Sequence, residues 1–144
     1  MGENKEDFLP EGCVFETIPA SHKCAGAGLL SSLTDYSKFA NMLLSGGGDI
    51  LSEETLRLLY TPYATKEIMP GDTQWGLGVR VITEDGHPYL PKGSYGWSGA
   101  YGSHFWVDPV NNLTAVFMKN SRIDGGVSES GRVFEDAVRM SLEK

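Results

Sequence analysis

Two runs late in the chain, GSHFWV and LTAVFMKN, are separated by Asp108-Pro109-Val110-Asn111-Asn112. Both runs carry β-branched and aromatic side chains, and the segment between them is made of turn formers. The pattern predicts an antiparallel hairpin, which commits this half of the chain to a sheet. Two earlier runs extend it. WGLGVRVIT (75–83) reads as one strand closed by the turn Glu84-Asp85-Gly86, and SYGWSGA (94–100) reads as another.

The flanking sequence has a different period. Leu33, Tyr36, Phe39, Ala40, Leu43 and Leu44 recur at helical spacing, behind a Ser32/Asp35 pair that resembles a capping box and ahead of Gly46 as a stop. A shorter helix is predicted from Ser52 as cap through Leu56, Leu59 and Tyr60, ending at Pro62. Ile123-Asp124-Gly125-Gly126 breaks the strand pattern, and a last helix follows with Val133, Phe134, Ala137, Val138 and Leu142 on one face. The order helix, helix, strands, helix is that of an α+β fold, an antiparallel sheet covered by helices, with the helices expected on one face. Residues 1–25 read as an irregular segment apart from the alternating run CVFETI, and residues 26–144 as the folded part. A chain of 144 residues suits one domain with a real core.

The formal net charge of −7, with no Lys/Arg run, disfavours a nucleic-acid or anionic-lipid partner. No apolar stretch is long enough to cross a bilayer. Cys13, His22 and Cys24 lack a fourth ligand at metal-site spacing, so they read as ordinary side chains, with a Cys13–Cys24 pairing left open. Glycines 46–48 follow a helix instead of joining a strand to one, which argues against a phosphate loop, and no cofactor is implied.

Ser98 raises the question of chemistry. Gly96-Trp97-Ser98-Gly99-Ala100 is one residue short of the Gly-x-Ser-x-Gly elbow, and it leads into a strand where the elbow needs a helix. The last histidine, His104, comes six positions later with no acid between them, so the Ser-acid-His order of the elbow enzymes cannot be assembled. His104 is expected to make an ordinary hydrogen bond from one face of its strand, and His22 and His87 lie in loop-like sequence without visible partners. Glu53, Glu54, Asp124, Glu129, Glu135 and Asp136 fall at helix starts or on polar faces and read as solvated charges. Trp75, Tyr95, Trp97, Tyr101, Phe105 and Trp106 crowd the strands, and alternation would bury about half of them. In a regular strand Trp97 shares a face with Tyr95 and Gly99 while Ser98 points the other way.

AGAGLLSSLTDYSKFANMLLSGG, ILSEETLRLL, WGLGV and WSG with FWVDPVNNLTAVFMKN, in that order, resemble the C-terminal part of serine β-lactamase-like proteins, the group of class C β-lactamases, DD-peptidases and family VIII carboxylesterases. The likeness runs from about Ala25 to the end. That family uses three motifs: Ser-x-x-Lys for the nucleophile, Tyr-x-Asn or Ser-Asp-Asn for proton transfer, and Lys-Thr-Gly on a strand that binds substrate and helps form the oxyanion hole. The resemblance puts Trp97-Ser98-Gly99 in the third position. It implies that Trp97 and Ser98 line the cleft, that Gly99 admits substrate close to the main chain, and that the Ala100 N–H is an oxyanion donor. Bringing both Trp97 and Ser98 to substrate would require a local bulge or glycine-permitted twisting.

The other two motifs have no counterpart. Ser141-Leu142-Glu143-Lys144 is the sole Ser-x-x-Lys, at a terminus unsuited to a nucleophile, and no Tyr-x-Asn occurs. The chain is therefore expected to be a fragment with no catalytic residue of its own, inactive alone. A non-catalytic binding module derived from the same fold is the alternative. Tryptophan in place of the lysine removes the grip on a substrate carboxylate and is similar to the family VIII esterase pattern. The partners implied are a small-molecule ester, amide or β-lactam for the whole protein. The resemblance also implies that the outer edge of the last strand is left unpaired, with self-association through it, or its coverage by a rearranged segment, as the expected outcome.

Overall fold

In the computed structural model, residues 29–64, 71–119 and 129–143 are described. The chain divides after Ser31, and every element lies in the unit beginning at Ser32. The CVFETI run, the cysteines, His22 and the 123–126 break fall outside the described residues.

Helix α1 spans Leu33–Leu44 and begins as its sequence predicts: the Ser32 hydroxyl accepts the Asp35 N–H at 3.1 Å. Its end is a Schellman motif. Gly46 has φ of 89°, its N–H reaches the Leu43 carbonyl at 3.4 Å, and the Gly47 N–H reaches the Met42 carbonyl at 2.9 Å. Helix α2, Glu53–Tyr60, is capped by Ser52 on the Thr55 N–H at 3.2 Å and stops before Pro62.

Five strands follow, β1 (Thr73–Trp75), β2 (Arg80–Ile82), β3 (Tyr95–Ser98), β4 (His104–Asp108) and β5 (Leu113–Phe117), in a sheet ordered as in the chain and antiparallel throughout. The run 75–83 is not one strand. Its two ends pair with each other, Trp75 opposite Arg80, across a turn closed by Gly76 N–H to Val79 carbonyl at 2.9 Å. Glycine makes the difference: a β-carbon on Gly76 would run into the Leu59 carbonyl, and Gly78 takes φ of 91°. The β4–β5 hairpin forms as predicted. The Asp108 carboxylate accepts the N–H groups of Val110 and Asn111, both at 3.0 Å, and Asn112 adopts φ of 52°.

Helix α3, Glu129–Leu142, closes the chain. The helices lie on both faces of the sheet, which corrects the expectation of one covered face. Ala40, Leu43 and Leu56 from α1 and α2 pack on Val81, Tyr95, Phe105 and Val107. Phe134 and Val138 from α3 pack on Ile82, Trp106 and Ala115. The strands show why. β4 is buried at every position, His104 to Asp108, as a strand covered on both sides must be. Helix α3 is also rotated from the predicted face: Val133 is 62% exposed, whereas Glu135 is 3% exposed.

Candidate functional site

Strand β3 carries the motif residues. Its register against β4 is unbroken, Trp97 opposite Phe105 and Ser98 opposite His104, so no bulge turns the two side chains to one side. Trp97 stands on the α1/α2 face, 39% exposed, with its ring edge-on to Trp75 at a centroid distance of 4.3 Å. Ser98 is 5% exposed and points to the α3 face, so its hydroxyl does not line the surface that Trp97 presents. This corrects the expectation that both side chains would face one cleft. Alternation along the strand decides it.

Pairing between β2 and β3 covers only Tyr95 and Gly96. From Trp97 onward the β2 side of the strand has no ladder partner among the described residues. Gly99 gives its N–H to the Ser103 carbonyl at 2.8 Å and takes the Gly102 N–H at 3.1 Å, and Gly102 has φ of 89°. These bonds hold a tight corner with Ala100 exposed at its tip. The Ala100 N–H meets no acceptor among the described residues. Lys92, the cation five positions before Trp97, pairs with Asp85 at 3.7 Å.

Behind the strand lies a buried polar chain. The Ser98 hydroxyl is 2.8 Å from His104 Nδ1, and His104 Nε2 is 2.9 Å from Glu135 Oε1. Arg80 donates to the same Glu135 oxygen at 2.9 Å. Burial is the largest influence on Glu135 and pushes its pKa up. The His104 hydrogen bond and the Arg80 guanidinium together outweigh it and hold the carboxyl below its ordinary value. An ionised Glu135 accepts both bonds on Oε1, which puts a proton on His104 Nε2.

Serine, histidine and carboxylate are all present here, but not as a nucleophilic triad. The working triad places the serine on Nε2 and the acid on Nδ1; here they are reversed, and the serine is out of reach of solvent. The acid that the sequence reading found missing comes from α3, not from between Ser98 and His104, and its reading as a solvated charge is corrected. A signal existed: Glu135 sits beside Phe134 and three before Val138, inside the stripe that faces the sheet. Arg80 was missed because a charge within a predicted strand gives no hint of a partner 55 residues away.

His87, expected to have no partner, accepts the N–H groups of Tyr89 and Leu90 on Nδ1 at 3.3 and 3.0 Å and so closes a turn. A depression of about 190 Å³ between α1, α2 and the sheet is walled by Leu43, Leu56, Tyr60, Tyr95 and Val107 and contains none of the motif residues. The Tyr95 phenol beneath it is pushed up to about 12 by burial and the neighbouring Tyr60, so it keeps its proton at neutral pH. Among the described residues no group of acids, histidines and cysteines could hold a metal, and no helix is long and apolar enough to cross a membrane.

The architecture has counterparts. Simvastatin synthase (LovD) from Aspergillus terreus, in its LovD6 mutant, superposes with a TM-score of 0.67 over 82% of this chain and 35% of its own, at 22% identity, which shows a common fold. Protein Rv1367c of Mycobacterium tuberculosis H37Rv is 33% identical over 118 residues, 69% of this chain and 29% of that protein. A protein of Escherichia coli K12 named "Putative D-alanyl-D-alanine carboxypeptidase" is 31% identical over 103 residues, 65% of this chain and 22% of its own. The chain thus spans less than a third of either relative. The sequence model described as Beta-lactamase matches residues 3–137, nearly the whole chain and all five strands, and by that match the chain belongs to the beta-lactamase family.

Proposed function

We propose that this chain supplies one rim of the cleft of a serine hydrolase whose nucleophile comes from sequence outside it, and that the whole protein prefers neutral esters or amides. Trp97, Gly99 and Ala100 form that rim. The observation that carries the reading is the pairing of a solvent-facing indole on β3 with an open main-chain corner at Gly99–Ala100. The corner offers the Ala100 N–H to a developing oxyanion, and Gly99 lets the chain turn close against the Ser103 hydroxyl, where a β-carbon would collide. The indole supplies apolar contact and one N–H, and no cation stands in the lysine's place.

The test compares kcat/KM of the full-length protein for a p-nitrophenyl ester and for a chromogenic cephalosporin. The ester is expected to be the better substrate, and a fluorophosphonate is expected to label the full-length protein but not this chain alone. A cephalosporin turned over far faster than the ester would overturn the preference. Stoichiometric labelling of the isolated, folded chain would overturn the assignment of the nucleophile.

Strand β5 pairs with β4 on one side, and its other side has no strand partner among the described residues. Such an edge is a template for another strand, so the chain by itself is proposed to self-associate through Leu113–Phe117. Sedimentation that gives a strict monomer with rapid amide exchange along that edge would refute this.

A further inference from the structure

The buried chain behind β3 has no part in the reading above, yet it is fastened to the strand that carries the rim. Four elements meet in it: β2 through Arg80, β3 through Ser98, β4 through His104 and α3 through Glu135. Ser98 lies between Trp97 and Gly99, so whatever fixes its side chain fixes the plane of the peptides on either side. Pairing with β2 has ended at Gly96, and the outward side of the segment has no ladder to hold it. The β4 ladder holds the segment on its other edge, and on the α3 side the Ser98 side chain adds a bond whose partner among the described residues is His104.

We infer that Ser98, His104, Glu135 and Arg80 are positioning residues that hold the Trp97–Ala100 segment from behind the sheet, so that helix α3 sets the geometry of the rim. The donor directions make the chain one unit. Arg80 donates to Glu135, His104 donates from Nε2 to Glu135, and the free lone pair on Nδ1 takes the Ser98 O–H. The charges of Arg80 and Glu135 are opposite and in direct contact within it. Removing the carboxylate frees the imidazole to change tautomer or rotate, and Ser98 then loses its acceptor. This role depends on the rim assignment only for its functional meaning; the mechanical link is independent of it.

The experiment uses amide hydrogen exchange by NMR on this chain, comparing wild type with Ser98→Ala, Glu135→Gln and the double variant. Ser98→Ala removes one hydroxyl and is the variant least able to unfold the protein. It is expected to speed exchange at Gly99 and Gly102, whose N–H groups close the corner, by about fivefold to tenfold, the size of one lost neutral hydrogen bond. Strand β5 and helix α1 should keep their wild-type rates. Glu135→Gln should produce the same local change, and the double variant should add little to either, because both act through His104. Long-range nitrogen–proton spectra should show the His104 proton on Nε2 in wild type.

Uniform acceleration across the sheet, no change at the corner, or additive effects of the two substitutions would each overturn the proposal. A second arm titrates acetanilide, an unreactive neutral amide, into wild type and Ser98→Ala while following the Trp97 indole and Ala100 amide signals. Shifts in wild type that weaken at least severalfold in Ser98→Ala support the link from anchor to rim, and equal shifts in both oppose it. No shift in either would count against the rim itself, leaving the exchange data to decide the positioning role.

Discussion

His104 and Glu135 lie 31 residues apart in the chain and 2.9 Å apart in the fold, imidazole Nε2 against carboxylate Oε1, with both side chains almost wholly buried. Arg80 completes the arrangement from the same side as His104, so one carboxylate oxygen serves two donors. A buried acid in a two-donor pocket is costly to disturb from one end only.

Glu135→Ala is therefore expected to destabilise the chain by about 3–5 kcal/mol, because the Arg80 guanidinium is left buried and unpaired. Replacing both together, Arg80→Met with Glu135→Leu, should cost clearly less than the single change. Urea denaturation of the three proteins checks this, and a double variant no better than Glu135→Ala would show that the pair is not the source of the loss.

The same carboxyl makes stability depend on pH. Its folded pKa is lowered from 4.5, so the unfolded state takes up the proton first as pH falls. Its contribution is fully present above about pH 4.5 and declines as the pH drops toward the lower folded value. Urea midpoints measured from pH 7 down to pH 3 should fall through that window, and Glu135→Gln should flatten the decline.

The rotation of α3 predicts an asymmetry between neighbouring residues. Phe134 packs against Trp106 at 5.4 Å and Phe117 at 5.3 Å, and Phe134→Ala should cost about 2–4 kcal/mol. Val133 points outward, and Val133→Lys should stay within about 0.5 kcal/mol of wild type. Thermal melts would reverse this order if the sequence-predicted face were the buried one.

Gly96 has no room for a side chain. A β-carbon there would run into the Phe105 carbonyl and crowd the Trp106 Cα at 2.7 Å, so strands β3 and β4 would have to part. Gly96→Ala should destabilise by about 1–3 kcal/mol, whereas Gly86→Ala, in open space but at φ of 90°, should cost about 1 kcal/mol from backbone strain alone.

Trp97→Lys tests the proposed preference. In the full-length protein it should raise kcat/KM for a carboxylate-bearing substrate by about tenfold, the scale of a charge-assisted hydrogen bond, and lower it for a neutral ester. Parallel changes for both substrates would remove Trp97 from any part in specificity.

Local chemistry determined much of this protein without reference to the rest of it. Ser32 and Ser52 begin helices because a serine hydroxyl satisfies an exposed N–H within one turn, and Gly46 ends one because it takes a positive φ at no steric cost. The Asp108–Asn112 turn is likewise a property of a few consecutive residues, and it was legible. What lay beyond the sequence depended on atoms distant along it. Gly76 breaks a strand because a carbonyl of α2 occupies the space a side chain would need. The sheet is covered on both faces because α3 crosses behind it, and Glu135 is buried because Arg80 and His104 wait there to neutralise and bond it. Burial of a charge depends on its partners, so no single segment could announce it; only the assembled fold brings Ser98, His104, Glu135 and Arg80 together behind β3.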